Sequence, residues 1–109
     1  MTLFAVSREA GPAWTDSAGA FDQPGVGDHA GFMNNLAEQG VIRFAGPLAG
    51  TEAGRIRVLL IADGDSETEI AQQLAADPWE IGQRITTTRI EPWTLLVGAL
   101  PDSRSEHVG

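Results

Sequence analysis

The sequence predicts a single α+β domain in which four antiparallel strands carry two helices on one face. Two observations lead to this prediction. Segments with strand and helix patterns follow each other in the order β-α-β-β-α-β, and the 109 residues suffice for one modest core but not for two. This element order is that of the ferredoxin-like fold.

The first half of the chain supplies a strand, a long loop and a helix. Residues 3–7 (LFAVS) form an apolar run without helical stagger, which is typical of a buried strand. Gly, Pro, Ser and Asp dominate residues 9–25 and predict a long loop that can act as a lid or a pocket wall. From 26 to 39 the spacing becomes helical, with Gly40 as the stop and with one face formed by His29, Phe32, Met33 and Leu36.

Two strands and the second helix come next. Residues 41–48 (VIRFAGPL) and 54–63 (GRIRVLLIAD) read as strands two and three. Ser66 is a good N-cap, and Glu69 three residues later completes a capping box for a helix over 67–76.

The final strand and a tail complete the chain. Residues 85–100 (ITTTRIEPWTLLVGAL) predict the last strand, bent or divided at Pro92. The domain therefore spans residues 1–100, and the polar residues 101–109 are expected to form a flexible tail.

The strands predict a second, uncovered face of the sheet. In strands one, three and four, apolar residues point to both faces of the sheet. Two helices suffice to cover only one of these faces. Pairing of this face with a second copy of the chain would bury it, so we expect a homodimer.

Charge and composition exclude several classes of function. Fifteen acidic residues against seven basic ones, all arginine and scattered, give a net charge of -8, which disfavours binding to nucleic acid or to an anionic membrane surface. The absence of cysteine excludes disulfides, thiolate nucleophiles and sulfur-ligated zinc. The apolar run near the N-terminus is too short for a signal peptide, so we expect a cytoplasmic protein.

Known cofactor and catalytic motifs are weak in this chain. The stretch GVGDHA at 25–30 matches a dinucleotide fingerprint, but it does not directly follow a strand, and the chain is too short for a complete doubly wound domain. No serine nucleophile elbow is present. Asp28 and His29 point about 100° apart on a helix and do not form one metal-binding facet. We therefore predict neither cofactor nor metal.

The stretch DPW at 77–79 permits two interpretations. Pro78 ends the preceding helix by biasing Asp77 away from helical geometry, with Trp79 as an ordinary core residue. Alternatively, the turn directs the Asp77 carboxylate toward His29 under the cover of Trp79, because a histidine oriented by a carboxylate is a general acid/base near neutral pH.

The order of several short motifs resembles the YCII-related family. These are FAV at 4–6, a helical His29, AGP at 45–47, DPW at 77–79 and IEPW at 90–93, which together span the chain except the long loop and the tail. The resemblance implies a dimeric α/β barrel formed sheet to sheet, with an active site centred on His29 and Asp77. The chain departs from the family in having Trp79 and Trp93 where Phe or Tyr is usual.

Two functions remain open from the sequence. The first is a cofactor-free enzyme that uses His29 and Asp77 for proton transfer on a small unsaturated or lactone-like metabolite, in lyase or isomerase chemistry. The second is a non-catalytic module of the same fold that binds a small ligand or acts as an accessory subunit. The predicted pocket for a small molecule is aromatic, with Phe44 and Trp93 equally compatible with a dimer interface; its predicted substrate-binding residues are Phe4, Phe44, Gly46, Pro47, Trp79, Arg89 and Trp93.

Overall fold

The computed structural model describes residues 2–98 and has the predicted ferredoxin-like α+β architecture. Its four strands form one antiparallel sheet in the order β2-β3-β1-β4. The elements are β1 (Thr2–Ala10), α1 (Val26–Glu38), β2 (Ile42–Pro47), β3 (Arg57–Gly64), α2 (Glu67–Ala75), a one-turn α3 (Pro78–Ile81) and β4 (Ile85–Pro92). The tail at 101–109 and the last two residues of the predicted final strand lie outside the described residues.

Both long helices pack on the same face of the sheet. Alternate residues of the two central strands point toward the helices, because side chains in a strand point to opposite faces in turn. Leu36 of α1 and the pair Ile70 and Leu74 of α2 meet this face. The main core consists of Phe4, Val6, Leu36, Ile42, Leu60, Ala62, Ile70 and Leu74.

The helix ends follow the signals in the sequence. The Ser66 hydroxyl accepts a hydrogen bond from the Glu69 backbone N–H at 3.1 Å and caps α2. After α1, Gly40 adopts a left-handed φ of 81°, and the N–H of Val41 bonds back to the Leu36 carbonyl at 3.0 Å. That bond closes the helix in a Schellman arrangement, for which glycine is the preferred residue.

The first and last strands differ from their predicted bounds. Strand β1 continues three residues beyond the predicted end, because the polar Arg8 in this extension finds buried carboxylate partners. Strand β4 ends at Pro92, and residues 93–98 contain no strand. Beyond Pro92, the Trp93 N–H still donates to the Leu3 carbonyl at 2.8 Å.

The long loop is ordered by its own side chains. It runs from residue 11 to residue 25 and includes a 3₁₀ turn at Ala20–Asp22. The buried Gln23 side chain bonds to the backbone at Thr15 and Ala18 with distances of 2.8–3.0 Å. The loop also supplies two residues to a second apolar cluster, which consists of Trp14, Ala20, Ile56, Trp79 and Ile85.

No helix among residues 2–98 covers the opposite face of the sheet. Phe44 pairs across the strands with Ile61, and both point away from the helices. Leu59 lies two residues from Ile61 on the same face, and its side chain is 44% exposed. Among residues 2–98, no helix is long and apolar enough to cross a bilayer.

Candidate functional site

Asp77 lies between α2 and α3 and is fully buried, at 0% exposure. Its backbone is extended, and its Oδ1 accepts a hydrogen bond from the Trp79 backbone N–H at 2.9 Å. Asp77 is therefore the N-cap of α3, with Pro78 at the first helical position, where its missing N–H is not needed. The sequence Asp-Pro-Trp thus ends one helix, starts the next and fixes the direction of a carboxylate.

Three groups donate hydrogen bonds to the Asp77 carboxylate. Besides the Trp79 backbone, Arg8 Nη2 lies 2.9 Å from Oδ2, and His29 Nδ1 lies 2.8 Å from Oδ2 and 3.0 Å from Oδ1. Burial alone raises the pKa of Asp77, but the hydrogen bonds from His29 and Trp79 and the charges of His29 and Arg8 together hold that pKa below its usual 3.8. Asp77 is therefore an anion at neutral pH.

Arg8 connects this carboxylate to a second one. Its side chain is fully buried, and Nη2 also donates to Glu80 Oε2 at 2.6 Å. Glu80 in turn accepts from the Thr87 hydroxyl at 3.0 Å, which ties α3 to strand β4. Buried charges are tolerated when they are paired in this way, and removing one partner of such a pair is strongly destabilising.

His29 is held between the carboxylate and an aromatic ring. Its imidazole stacks on the Trp79 indole with ring centroids 4.0 Å apart and planes 8° from parallel. The indole N–H donates to the Pro24 carbonyl at 2.9 Å, and its ring meets Trp14 edge-on at 5.6 Å. Because Asp77 occupies the Nδ1 side of the ring, Nε2 is the ring nitrogen left for another group, and it has no hydrogen-bond partner among residues 2–98.

A cavity of about 280 Å³ opens beside this ring. Its wall is mostly apolar, with side chains from α1, β3 and the long loop. His29, Asn34, Glu52 and Arg8 are its polar members. His29 is 18% exposed, so the histidine joins the buried carboxylate on one side to the cavity on the other. An apolar cavity with a few placed polar groups is the usual form of a small-molecule site.

The structure brings five of the nine predicted site residues together. His29, Gly46, Pro47 and Trp79 line the cavity, and Asp77 lies directly behind His29. The remaining four do not line it.

These four residues lie elsewhere in the fold. Phe4 is part of the main core. Phe44 is 49% exposed on the open face of the sheet, because the bulge between Ile42 and Phe44 turns its side chain away from the helices. Arg89 pairs with Ser7 on that same face and forms an exposed ion pair with Glu91 at 3.3 Å. Trp93 follows β4 and is 42% exposed.

Sequence reasoning missed Arg8, Glu80 and Trp14. A signal existed for Arg8, because it continues the inward alternation of Phe4 and Val6 along β1, and an arginine on such a face requires a buried anion. Glu80 lies three residues after the Asp77 cap and resembles an exposed helix residue in sequence. Trp14 lies in a loop without periodicity, so its burial against Trp79 had no sequence signal.

Within residues 2–98, no group of three or more His, Cys, Asp or Glu side chains is arranged to hold a metal ion. Comparisons with protein-family models and with curated proteins found no match.

A solved structure is similar in fold. It is the 5-chloro-2-hydroxyhydroquinone dehydrochlorinase of Burkholderia phenoliruptrix AC1100, in complex with 2,5-dihydroxybenzoquinone. The TM-score is 0.59 at 22% sequence identity, and the match covers 84% of this chain and 93% of the other. At this identity the likeness establishes the fold alone, in agreement with the ferredoxin-like topology.

Proposed function

We propose that the protein is a small YCII-related enzyme that transfers protons with the His29–Asp77 dyad, without a cofactor. The observation that carries this proposal is the position of His29, with Nδ1 bonded to an ionised, buried carboxylate and the ring on the wall of a mostly apolar cavity. This is the arrangement that general acid/base catalysis requires.

The chemistry follows from the free ring nitrogen. His29 Nε2 accepts a proton from a substrate C–H or O–H bond, and the Asp77 carboxylate stabilises the imidazolium that forms. The bonding electrons left on the substrate then form a double bond. In a lyase reaction a leaving group departs with its own electron pair, and in an isomerase reaction the proton returns from Nε2 to another atom.

The proposed substrate is a small unsaturated or lactone-like metabolite. A cavity of about 280 Å³ has room for a single substituted ring. The structural neighbour, by its description, is a dehydrochlorinase bound to a quinone. Elimination of HCl from a chlorinated ring is one reaction of this kind. Nε2 would accept the proton, chloride would leave with its bonding electrons, and a double bond would form.

The test is turnover by native protein and by a His29→Ala variant. Candidate substrates are chlorinated hydroxyhydroquinones, followed by chloride release, and unsaturated lactones, followed by absorbance. We expect His29→Ala to lose about 10²- to 10⁴-fold in rate, the usual contribution of a general acid/base group, while circular dichroism shows a folded protein. His107→Ala, in the polar tail, is the matched control and is expected to retain the native rate.

One outcome would favour the non-catalytic alternative. If the native protein binds these compounds without converting any of them, and His29→Ala changes only the melting temperature, then the dyad is structural and the cavity is a binding site.

A further inference from the structure

Glu80 is a carboxylate behind the cavity that the proposed proton transfer does not use. It lies on α3, three residues after the Asp77 cap, and its side chain is 21% exposed. Its oxygens accept two bonds from Thr87 of β4, at 3.3 Å from the backbone N–H and at 3.0 Å from the hydroxyl. Thr87 is the direct partner of Arg8 in the pairing of β1 with β4. The pairing of the two strands therefore holds Glu80 beside Arg8.

Asp77 and Glu80 share one nitrogen atom of Arg8. Nη2 donates to Glu80 Oε2 at 2.6 Å and to Asp77 Oδ2 at 2.9 Å, whereas Nη1 lies 3.5 Å from the weak acceptor Met33 Sδ. A guanidinium paired with Asp77 alone would offset most of the charge of that carboxylate. Because the shorter of the two bonds goes to Glu80, Asp77 keeps more of its charge for His29 Nδ1, which lies 2.8 Å from the same Oδ2.

The charges of this network favour a proton on His29. Two carboxylates and one guanidinium leave one net negative charge beside the imidazole, and protonation of the ring makes the four groups neutral together. Since the network is mostly buried, solvent and salt reduce these interactions only in part. The segments around α1 carry further charged side chains, which stay unchanged in the variants compared below: Asp22, Asp28, Arg43 and Glu52.

We propose that Glu80 is a positioning residue of the dyad, which draws Arg8 toward itself and so leaves the Asp77 charge to His29. This inference rests on the proposed function in that it takes His29 as the group that accepts the proton. Glu80 does not line the cavity, so its effect reaches the substrate only through Arg8, Asp77 and His29. A net negative charge beside an imidazole favours its protonated form, which is the form that follows proton abstraction.

The experiment follows protonation of the His29 ring by nitrogen-15 NMR across a pH titration of the native protein and of three variants. Glu80→Gln removes the negative charge with little change of shape, and Arg8→Gln removes the positive one. Thr87→Val is the matched control, because it removes the hydroxyl bond to Glu80 but leaves every charge in place. The signal of His29 is assigned with His29→Ala, and the other histidine of the chain, His107, serves as the reference within each sample.

We expect Glu80→Gln to lower the pH midpoint of the His29 titration by about 0.5 unit or more, and Arg8→Gln to raise it by about 1 unit. Thr87→Val should leave it within about 0.2 unit of the native midpoint. A purely structural role would move all three midpoints in one direction, as the packing around Asp77 loosens. If Arg8→Gln does not fold, the other two variants still decide the question. The inference is overturned if Glu80→Gln leaves the midpoint unchanged or raises it, or if Thr87→Val lowers it equally.

Turnover measurements separate this inference from the proposed function. If the midpoints shift as expected but no compound is converted, Glu80 sets the charge of a histidine that does not catalyse, and the catalytic proposal fails. If turnover depends on His29 while Glu80→Gln changes neither the His29 midpoint nor the pH dependence of the rate, this inference alone fails.

Discussion

The Asp77 side chain has two separate structural roles. It caps α3 through the Trp79 N–H, and its charge is paired with Arg8 and His29. Asp77→Asn separates these roles, because asparagine is an equally good N-cap but carries no charge. We expect the variant to lose about 3 kcal/mol of unfolding free energy at pH 7, the low end for breaking a buried pair, since Glu80 still engages Arg8. Urea denaturation measures this loss.

The loss of unfolding free energy in Asp77→Asn should become smaller at low pH. The pKa of Asp77 is lower in the folded protein than its usual 3.8. Its charge therefore stabilises the fold fully above the unfolded-state pKa, and that contribution disappears as the pH falls through the folded-state pKa. The difference between native protein and Asp77→Asn should shrink below about pH 4. The control Asp65→Asn, at an exposed position, should show no comparable difference, and a native-minus-variant difference that stays constant to pH 2 would contradict this assignment.

Arg8 allows a matched comparison between a buried and an exposed arginine. Arg8→Gln leaves two carboxylates without their guanidinium, so we expect a loss of about 3 kcal/mol in unfolding free energy. Arg89→Gln removes an exposed ion pair and should change the unfolding free energy by less than about 0.5 kcal/mol. Removing the Arg8 charge should also raise the pKa of Asp77, which carbon-detected NMR of the carboxyl would show. Equal effects of the two substitutions would show that the buried network contributes nothing.

The sequence singled out His29 and Asp77, but it did not predict most of their surroundings. One interpretation of the Asp-Pro-Trp turn paired the two residues, and the family resemblance implied the same pair. The aromatic residues were harder to place, since an aromatic ring in an apolar run suits the core, a cavity or an exposed sheet face equally well. Phe44 illustrates this, because a bulge between Ile42 and Phe44 sets the face to which its side chain points.

At the level of elements, the start of the long loop is tightly packed against the residues that precede β4. Gly11 donates to the Arg84 carbonyl at 2.8 Å, and a Cβ at Gly11 would meet the Gln83 carbonyl far inside van der Waals contact. We expect Gly11→Ala to lose about 1–3 kcal/mol of unfolding free energy, as forced overpacking does. The measurement is thermal or urea denaturation.

Gly31 is the matched control for this substitution. It lies within α1, and an added Cβ there would have no neighbour within 4 Å. Alanine is the better helix former, so Gly31→Ala should gain about 0.5–1 kcal/mol. A Gly11→Ala protein as stable as the native one would show that the backbone at Gln83 shifts freely, and the loop would then be less firmly anchored than its hydrogen bonds indicate.

Element positions followed from the sequence wherever a local signal was complete. The capping box at Ser66 and the glycine stop at Gly40 placed helix ends to within one or two residues. The extent of β1 was not predictable in the same way. Its last residues are stabilised by Arg8 contacts to residues about 70 positions away, and no local pattern reports such a partner.

For the whole molecule, the topology could be predicted but the cavity could not. The order of elements restricts a four-stranded antiparallel sheet with two helices to few arrangements, of which the ferredoxin-like one was observed. The cavity requires the long loop, α1 and the loop after β2 to converge, and that convergence depends on contacts such as the bond from Ala20 to Glu52. The sequence of a Gly-rich loop has no periodic pattern from which such contacts could be predicted.

The open face of the sheet carries apolar side chains that residues 2–98 leave exposed. Phe44, Leu59 and Ile61 lie together there, and a wet apolar surface of this kind usually marks an interaction site. We predict that two copies pair through this face, which would bury at least about 1,200 Å² in total. Sedimentation equilibrium at micromolar concentration should then give twice the mass of the chain.

The decisive variant places a charge in the middle of this face. Leu59→Glu should shift the protein to a monomer, because each interface would bury two unpaired carboxylates related by the twofold axis. The control is Ile81→Glu on α3, which is equally apolar and 71% exposed but lies on the helical side of the sheet, so it should remain dimeric. A native protein that sediments as a monomer, or a Leu59→Glu variant that stays dimeric, would contradict pairing through this face.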